Sequence, residues 1–346
     1  MNVDIFNQQR EYLALALKGK KVMVTGATGL VGSAVTRLLL SLNEKWSGDI
    51  EIITVCRNKE KILTLFPKSI ENCEIVIWDA EKDALSYDKK ADYVIHCSGS
   101  SGGSKMHLIN PEIIFDNIVI GTRRVLDWCA VSGAAFLFVS SYEVYGEVSQ
   151  KEPFNENMPC HLDTFVLRNI YAECRRMCES LCCAYSSKYG VNTYSVRLTS
   201  TFGEGAAYND PRFFAEFARC VIENRDIVLK STGSTVRSYL DIDDAATAML
   251  FVLVNGRTCN AYNLTNMQNE ISVRDLAQLM INVSNSKIKL LYDIENDYAK
   301  LGFRKEGCTL MDSKKLMSLG WNPVFELDET IRKLINSMKK SWIDSH

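Results

Sequence analysis

The stretch Lys21 to Gly32, K-V-M-V-T-G-A-T-G-L-V-G, constrains this chain more than any other. An apolar run from Val22 to Val24 meets Gly26, Gly29 and Gly32, and an apolar helical pattern follows from Leu30 to Leu42. A strand, a glycine turn and a helix start are thus written close together. Gly26 permits a tight turn, Gly29 lets phosphates approach the backbone, and Gly32 lets the helix pack closely on its strand. Free N–H groups at the helix N-terminus then face the anion. The arrangement suits a dinucleotide pyrophosphate, with Gly26, Thr28, Gly29, Leu30 and Val31 as its candidate contacts.

Downstream, strands and helices alternate. Ile50–Cys56, Ile75–Trp78, Tyr93–Cys97 and Phe136–Ser141 read as strands, and Pro111–Val131 as a helix between the last two. Short β-branched runs between helices predict a parallel sheet covered on both faces, wound right-handedly. A turn-rich polar loop, K-E-P-F-N-E-N-M-P, follows Gly146. A helix over Thr164–Tyr189 and a strand over Thr193–Thr199 come next, then helices near Pro211–Glu223, Asp243–Val254, Val273–Val283 and Leu327–Lys339. Residues 1–18 read as a short leading helix packed on the domain edge. The expected division is a dinucleotide-binding domain over 19–200 and a smaller α/β substrate-binding part over 201–346, with exchange of a strand or helix between them allowed. Ligands in such a sheet sit beyond the carboxyl ends of the strands.

Composition narrows the function classes. Apolar residues make up 47% of the chain, enough for a full core, and the formal net charge is −2. That balance gives no reason to expect nucleic acid or an anionic membrane as partner. No apolar run approaches the roughly 18 residues of a spanning helix. The 12 cysteines follow neither a disulfide framework nor metal-ligand spacing, so free thiols in a reducing cytoplasm, and no metal, are expected.

Cofactor choice is read at the strand ends. An acid after the second strand would bind the ribose hydroxyl of NAD, whereas arginine accommodates the 2′-phosphate of NADP. The stretch T-V-C-R-N-K has no acid, so Arg57 favours NADP over NAD, unless it is simply a solvated helix-opening residue. Asp79, with Ala80 after it, either accepts from the adenine or caps a helix. After the fourth strand, Cys97, Ser98 and Gly99 let the backbone run beneath a cofactor. His96 is either a base or a core histidine. Asn117, a poor residue for a helix interior, has a hydrogen-bonding task, structural or in a proton relay. Ser141 ends the fifth strand, and Tyr171 and Arg175 share a helical face at i and i+4. A cation beside a tyrosine favours its phenolate, and a serine hydroxyl can orient phenol and substrate together. Ser141, Tyr171 and Arg175 therefore suit proton abstraction beside a hydride acceptor.

Together these pieces resemble an extended short-chain dehydrogenase/reductase of the epimerase/dehydratase family that acts on nucleotide sugars. The resemblance rests on T-G-A-T-G-L-V-G at 25–32, V-I-H at 94–96, N-I-V-I-G-T-R-R-V-L at 117–126, S-S-Y-E-V-Y-G at 140–146, Tyr171 and its helix, R-L-T-S-T-F-G at 197–203, G-S-T-V-R-S-Y-L-D-I-D-D at 233–244 and L-G-W-N-P at 319–323. It implies a Rossmann-type doubly wound parallel sheet. It also implies Tyr171 as catalytic acid/base, Ser141 as its hydroxyl partner, a catalytic position for Glu143, and Arg237 as the grip on the nucleotide diphosphate. The chemistry implied is oxidation to a transient 4-keto sugar, from which epimerisation demands least beyond Tyr171 and Ser141. Dehydration, decarboxylation and net keto-sugar reduction are the alternatives, followed by a non-catalytic dinucleotide binder. Three departures stand out: Arg175 replaces the family's lysine, Ser200 replaces a substrate-binding asparagine, and Tyr142 stands where dehydratases carry aspartate. Cys174, Cys178 and Cys182 recur at helical spacing on the Tyr171 helix, as small apolar packing residues. The family commonly dimerises through such a helix, so a homodimer is expected.

Overall fold

In the computed structural model, the described residues are 2–67, 70, 73–99, 109–146, 152–294 and 307–343. Lys21–Thr25 forms β1, which pairs in parallel with β2 (Glu51–Cys56) on one side and β4 (Tyr93–His96) on the other. With β3 (Cys73–Ile77), β5 (Ala135–Ser141), β6 (Thr193–Leu198) and β10 (Asn260–Leu264) they make a seven-stranded sheet in the order β10-β6-β5-β4-β1-β2-β3. Every pairing in it is parallel. The order reverses between β1 and β4, and a crevice at such a point is where an open α/β sheet binds its ligand.

Successive side chains of these buried strands serve opposite faces, the period-two rule of a strand. Val22 and Val24 enter one core and Met23 the other; Leu137 and Val139 enter the first, Phe136 and Phe138 the second. Burying each such side chain contributes about 2 kcal/mol. The first face is covered by α1 (Val3–Ala16), α2 (Leu30–Trp46) and the helix Ile242–Asn255. The second is covered by Pro111–Phe115, a π-helical turn over Asp116–Ile120, Gly121–Ser132 and the helix Ile170–Tyr189. Cys174, Cys178 and Cys182 all lie in this second core, where burial raises their thiol pKa values.

The leading helix is not merely an edge cover. Leu13, Ala14 and Leu17 enter the first core, while Leu15 stays exposed. Gln9 donates Nε2 to the carbonyl of Asn322 at 3.0 Å and accepts that residue's N–H at 3.2 Å, binding α1 to the L-G-W-N-P segment. Asp244 holds the residues just after that segment by accepting the N–H groups of Val324 and Phe325 at 3.0 Å each.

A second sheet contains β7 (Ser200–Phe202), β9 (Val236–Asp241), β11 (Asn266–Ser272) and β13 (Cys308–Thr309). The short pair β8 (Ile227–Leu229) and β12 (Leu290–Tyr292) lies apart from it. Helices Phe213–Ile222, Val273–Val283 and Leu327–Ile343 pack a third core around Phe202, Phe214 and Tyr239. The chain crosses between the two parts more than once. Ile242–Asn255 and β10, both from beyond residue 200, belong to the first sheet and its cover.

The Tyr171 helix begins at Ile170, later than its apolar pattern predicts. Asp163 accounts for the delay: its carboxylate accepts the Phe165 N–H at 2.9 Å and its carbonyl accepts the Asn169 side-chain amide at 3.0 Å. Such side-chain turns compete with helix.

Candidate active site

The glycine loop has the geometry its spacing predicts. Gly26 has φ +66°, and a Cβ there would lie 2.9 Å from the backbone nitrogen of Ser98. A Cβ on Gly32 would sit 2.3 Å from the Gly26 carbonyl oxygen, whereas one on Gly29 would meet that atom only at 3.4 Å. Gly26 and Gly32 are therefore required by the protein's own packing, whereas a Cβ on Gly29 would make only ordinary contact. Gly29 is the N-cap of α2 and gives no side-chain cap, so the helix presents backbone N–H groups to an anion. Thr28, Leu30 and Val31 flank it, half-buried. The arrangement fits a dinucleotide pyrophosphate.

Arg57 follows β2, with a side chain 70% exposed, 3.7 Å from Glu81. Glu81 also accepts the Asn117 side-chain amide at 2.8 Å, and Asn117 donates to the Ile113 carbonyl at 2.9 Å. These bonds give Asn117 a structural task inside the π turn. Asp79 accepts the Glu81 N–H at 3.1 Å and lies 3.4 Å from Lys82. Gly121 packs close to Ala80: a Cβ on it would be 3.0 Å from the Ala80 Cβ.

His96 is a core histidine. It is fully buried, hydrogen-bonded through Nδ1 to Thr25 Oγ1 at 2.7 Å and packed against Phe136 and Phe138. Burial, helped by the charge of Arg175, pushes its pKa down to about 3. The chain then turns through Cys97, Ser98 and Gly99; the small-residue run from Ser100 to Ser104 lies outside the described residues.

Arg175 joins the separate pieces. It is buried, and its Nη1 donates to the Val139 carbonyl in β5 at 2.8 Å. Its Cζ lies 5.1 Å from the centre of the Tyr171 ring and 5.4 Å from that of Phe138. Its Nη2 lies against Gly99, where a Cβ would come within 2.8 Å. One guanidinium thus touches the end of β5, the turn after β4 and the tyrosine. A planar fork with several donors can span three such neighbours, which a lysine ammonium cannot.

Ser141, at the end of β5, is buried and accepts the Glu143 N–H at 3.2 Å. The Glu143 carboxylate is held by Arg168, which donates Nη1 and Nη2 to its two oxygens at 2.8 and 3.0 Å. Tyr142 and Tyr171 lie close enough to favour the charged form of Arg168, so it belongs to the same cluster. Sequence reasoning missed Arg168, although its position three residues before Tyr171 is a helical spacing that could have drawn it in. Arg237 donates Nη1 to the Tyr142 hydroxyl at 3.1 Å and stacks 5.5 Å from the Phe213 ring centre, and its buried Nε has no partner among the described residues. Ser200 pairs with Tyr239 across β7 and β9, two residues from Arg237.

A parallel sheet, a glycine-turned helix N-terminus and a tyrosine–arginine pair at the strand ends define a Rossmann-type dinucleotide-dependent enzyme. The chain belongs to the NAD-dependent epimerase/dehydratase family, whose model matches residues 22–265. It is 27% identical over 319 residues to UDP-glucuronic acid decarboxylase 1 of Danio rerio, covering 91% of this chain and 72% of that one. Its fold matches an epimerase from Methanothermobacter thermautotrophicus with a TM-score of 0.83 at 20% identity, over 97% of this chain and 96% of that one. It also matches UDP-glucuronic acid 4-epimerase of Bacillus cereus in complex with UDP-glucuronic acid and NAD, with a TM-score of 0.77 at 17% identity, over 93% and 99%.

Proposed function

We propose that this chain is a nucleotide-sugar 4-epimerase dependent on NADP or NAD. The observation that carries the reading is the placement of Arg175 against both the Tyr171 ring and Gly99. The glycine loop, Ala80 and the Cys97–Gly99 turn would hold the cofactor, and Arg57 at the end of β2 supports NADP. When bound, a nicotinamide supplies a hydride acceptor and donor. Tyr171 takes the proton of the sugar 4-hydroxyl, with Arg175 setting positive charge beside the phenol. Ser141 orients the phenol and the hydroxyl. Arg237, with Tyr142 and Phe213 around it, grips the diphosphate, for which a guanidinium is geometrically suited, and Ser200 adds a polar contact nearby. The proton then returns from Tyr171 to a 4-oxygen presented on the other face of the sugar. Glu143 supports epimerisation over elimination, because both of its carboxylate oxygens are engaged by Arg168.

A second reading rests on the same ion pair. Arg168 could exchange Glu143 for the carboxylate of a nucleotide uronic acid, which would free Glu143 and favour decarboxylation, the activity named for the Danio rerio relative. Incubation with UDP-glucuronic acid separates the two: release of carbon dioxide supports the second, and formation of the 4-epimer with the carboxylate intact supports the first.

The reading extends to a cytoplasmic homodimer. Twelve free thiols support a reducing compartment. Exposed Val131 and Met177, on Gly121–Ser132 and the Tyr171 helix, support an interface there.

A further inference from the structure

Twelve cysteines are free in this protein, and Cys183 and Cys259 are the two that are exposed. They come from distant parts of the sequence, yet their Sγ atoms lie 2.9 Å apart. Cys183 is on the helix Ile170–Tyr189, and Cys259 is in the turn that enters β10. The backbone brings them together through one buried residue, Thr193, at the start of β6. Thr193 Oγ1 donates to the Cys182 carbonyl at 3.1 Å, and the Thr193 carbonyl accepts the Cys259 N–H at 2.6 Å. The Thr193 N–H donates to Thr258 Oγ1 at 3.0 Å. Cys259 has φ +56°, a left-handed conformation uncommon outside glycine, and the bond from its N–H holds it there. Both thiols therefore stand on anchored backbone. They line a cavity of about 240 Å³ together with Glu156, Glu179, Arg197 and Lys315, so charged groups that can meet a polar disulfide flank the two thiols.

We propose that Cys183 and Cys259 form a reversible thiol–disulfide exchange site for low-molecular-weight disulfides such as oxidised glutathione. Partial burial and the neighbouring thiol raise the Cys183 pKa; the first attack is assigned to Cys259, which stands on the surface turn rather than on the helix. The Cys259 thiolate attacks one sulfur of the small disulfide, forming a mixed disulfide and releasing one equivalent of the small thiol. Cys183, deprotonated as it attacks, then displaces the second equivalent from the Cys259 sulfur. The protein dithiol is oxidised by two electrons, the small disulfide is reduced to two thiols, and both protein protons leave with them. The product ties the Tyr171 helix to the edge strand of the first sheet. The sugar site takes no part in this chemistry, and its test uses no turnover.

The test is made on the reduced full-length protein with excess oxidised glutathione, followed by alkylation and mass analysis. The unoxidised protein should show two fast-reacting thiols with a chromogenic thiol reagent, and the oxidised protein none. Its mass should fall by about 2 Da, a Cys183–Cys259 cross-linked peptide should appear, and dithiothreitol should reverse both changes. Cys183→Ser should stop at a glutathione adduct on Cys259. The proposal is overturned if wild type retains a mixed disulfide, if both cysteines remain open to alkylation, or if the cross-link joins other cysteines or two chains.

Discussion

Arg168 closes both of its Nη groups on both carboxylate oxygens of Glu143, and the two side chains are only 14% and 12% exposed. Removing one partner takes a two-bonded ion pair away from a buried charge. Arg168→Ala should therefore lower unfolding free energy by about 3 kcal/mol, and Glu143→Ala/Arg168→Ala should recover part of that loss. Urea unfolding of the two single variants and the double variant gives the coupling directly; additive losses would mean that the pair is not coupled.

Gly29 and Gly32 should separate ligand binding from packing. Gly32→Ala forces a Cβ to 2.3 Å from the Gly26 carbonyl oxygen, which should cost about 3 kcal/mol of stability. Gly29→Ala should leave the stability of the free protein within about 0.5 kcal/mol of wild type and weaken dinucleotide binding at least tenfold. Thermal unfolding with and without NADP or NAD measures both. A Gly29→Ala protein that binds cofactor normally would move the pyrophosphate away from this loop.

The glycine loop was readable because its constraints are local: turn, cap and close contact all fall within one strand–turn–helix. The parallel sheet was readable for a similar reason, since β-branched runs between helices leave few alternatives. The pairing of Glu143 with Arg168 was not, because they lie 25 residues apart and meet only after the Asp163 turn delays the helix start. The return of Ile242–Asn255 and β10 to the first sheet was likewise open, since their apolar patterns name no partner. Residues 1–18 read as a leading helix on the domain edge, and which of its leucines turn inward was open: Leu13 and Leu17 are buried while Leu15 stays exposed.

Two buried groups pull stability in opposite directions as pH changes. Burial pushes the His96 pKa down to about 3, so on acidification the unfolded chain takes up that proton first. His96 stability is present above the ordinary histidine value near 6.5 and is lost as pH falls toward 3. Burial pushes Asp244 up to about 7, so its stability is complete below the ordinary aspartate value near 4 and is lost as pH rises through 7. Asp244→Asn removes the second effect and leaves the first. Its urea midpoint should fall more steeply than that of wild type between about pH 7 and pH 4; parallel pH profiles would show that Asp244 does not carry the proton.

Arg175→Lys tests whether the site is built around arginine. A lysine cannot reach Val139, Gly99 and Tyr171 at once, so the variant should lose about 2 kcal/mol of stability and turn over more slowly. A faster variant with unchanged stability would mean that the guanidinium is a handicap.

The central claim is that Tyr171 moves the proton of a sugar 4-hydroxyl and that the carbon skeleton is otherwise kept. Wild type and Tyr171→Phe can be incubated in deuterium oxide with a panel of UDP- and dTDP-sugars, and the products followed by nuclear magnetic resonance. The account predicts a 4-epimer without solvent deuterium on ring carbon, formed at least about 100-fold more slowly by Tyr171→Phe although that variant still binds NADP or NAD. An undiminished rate in Tyr171→Phe, or a dehydrated or decarboxylated product in wild type, would contradict it.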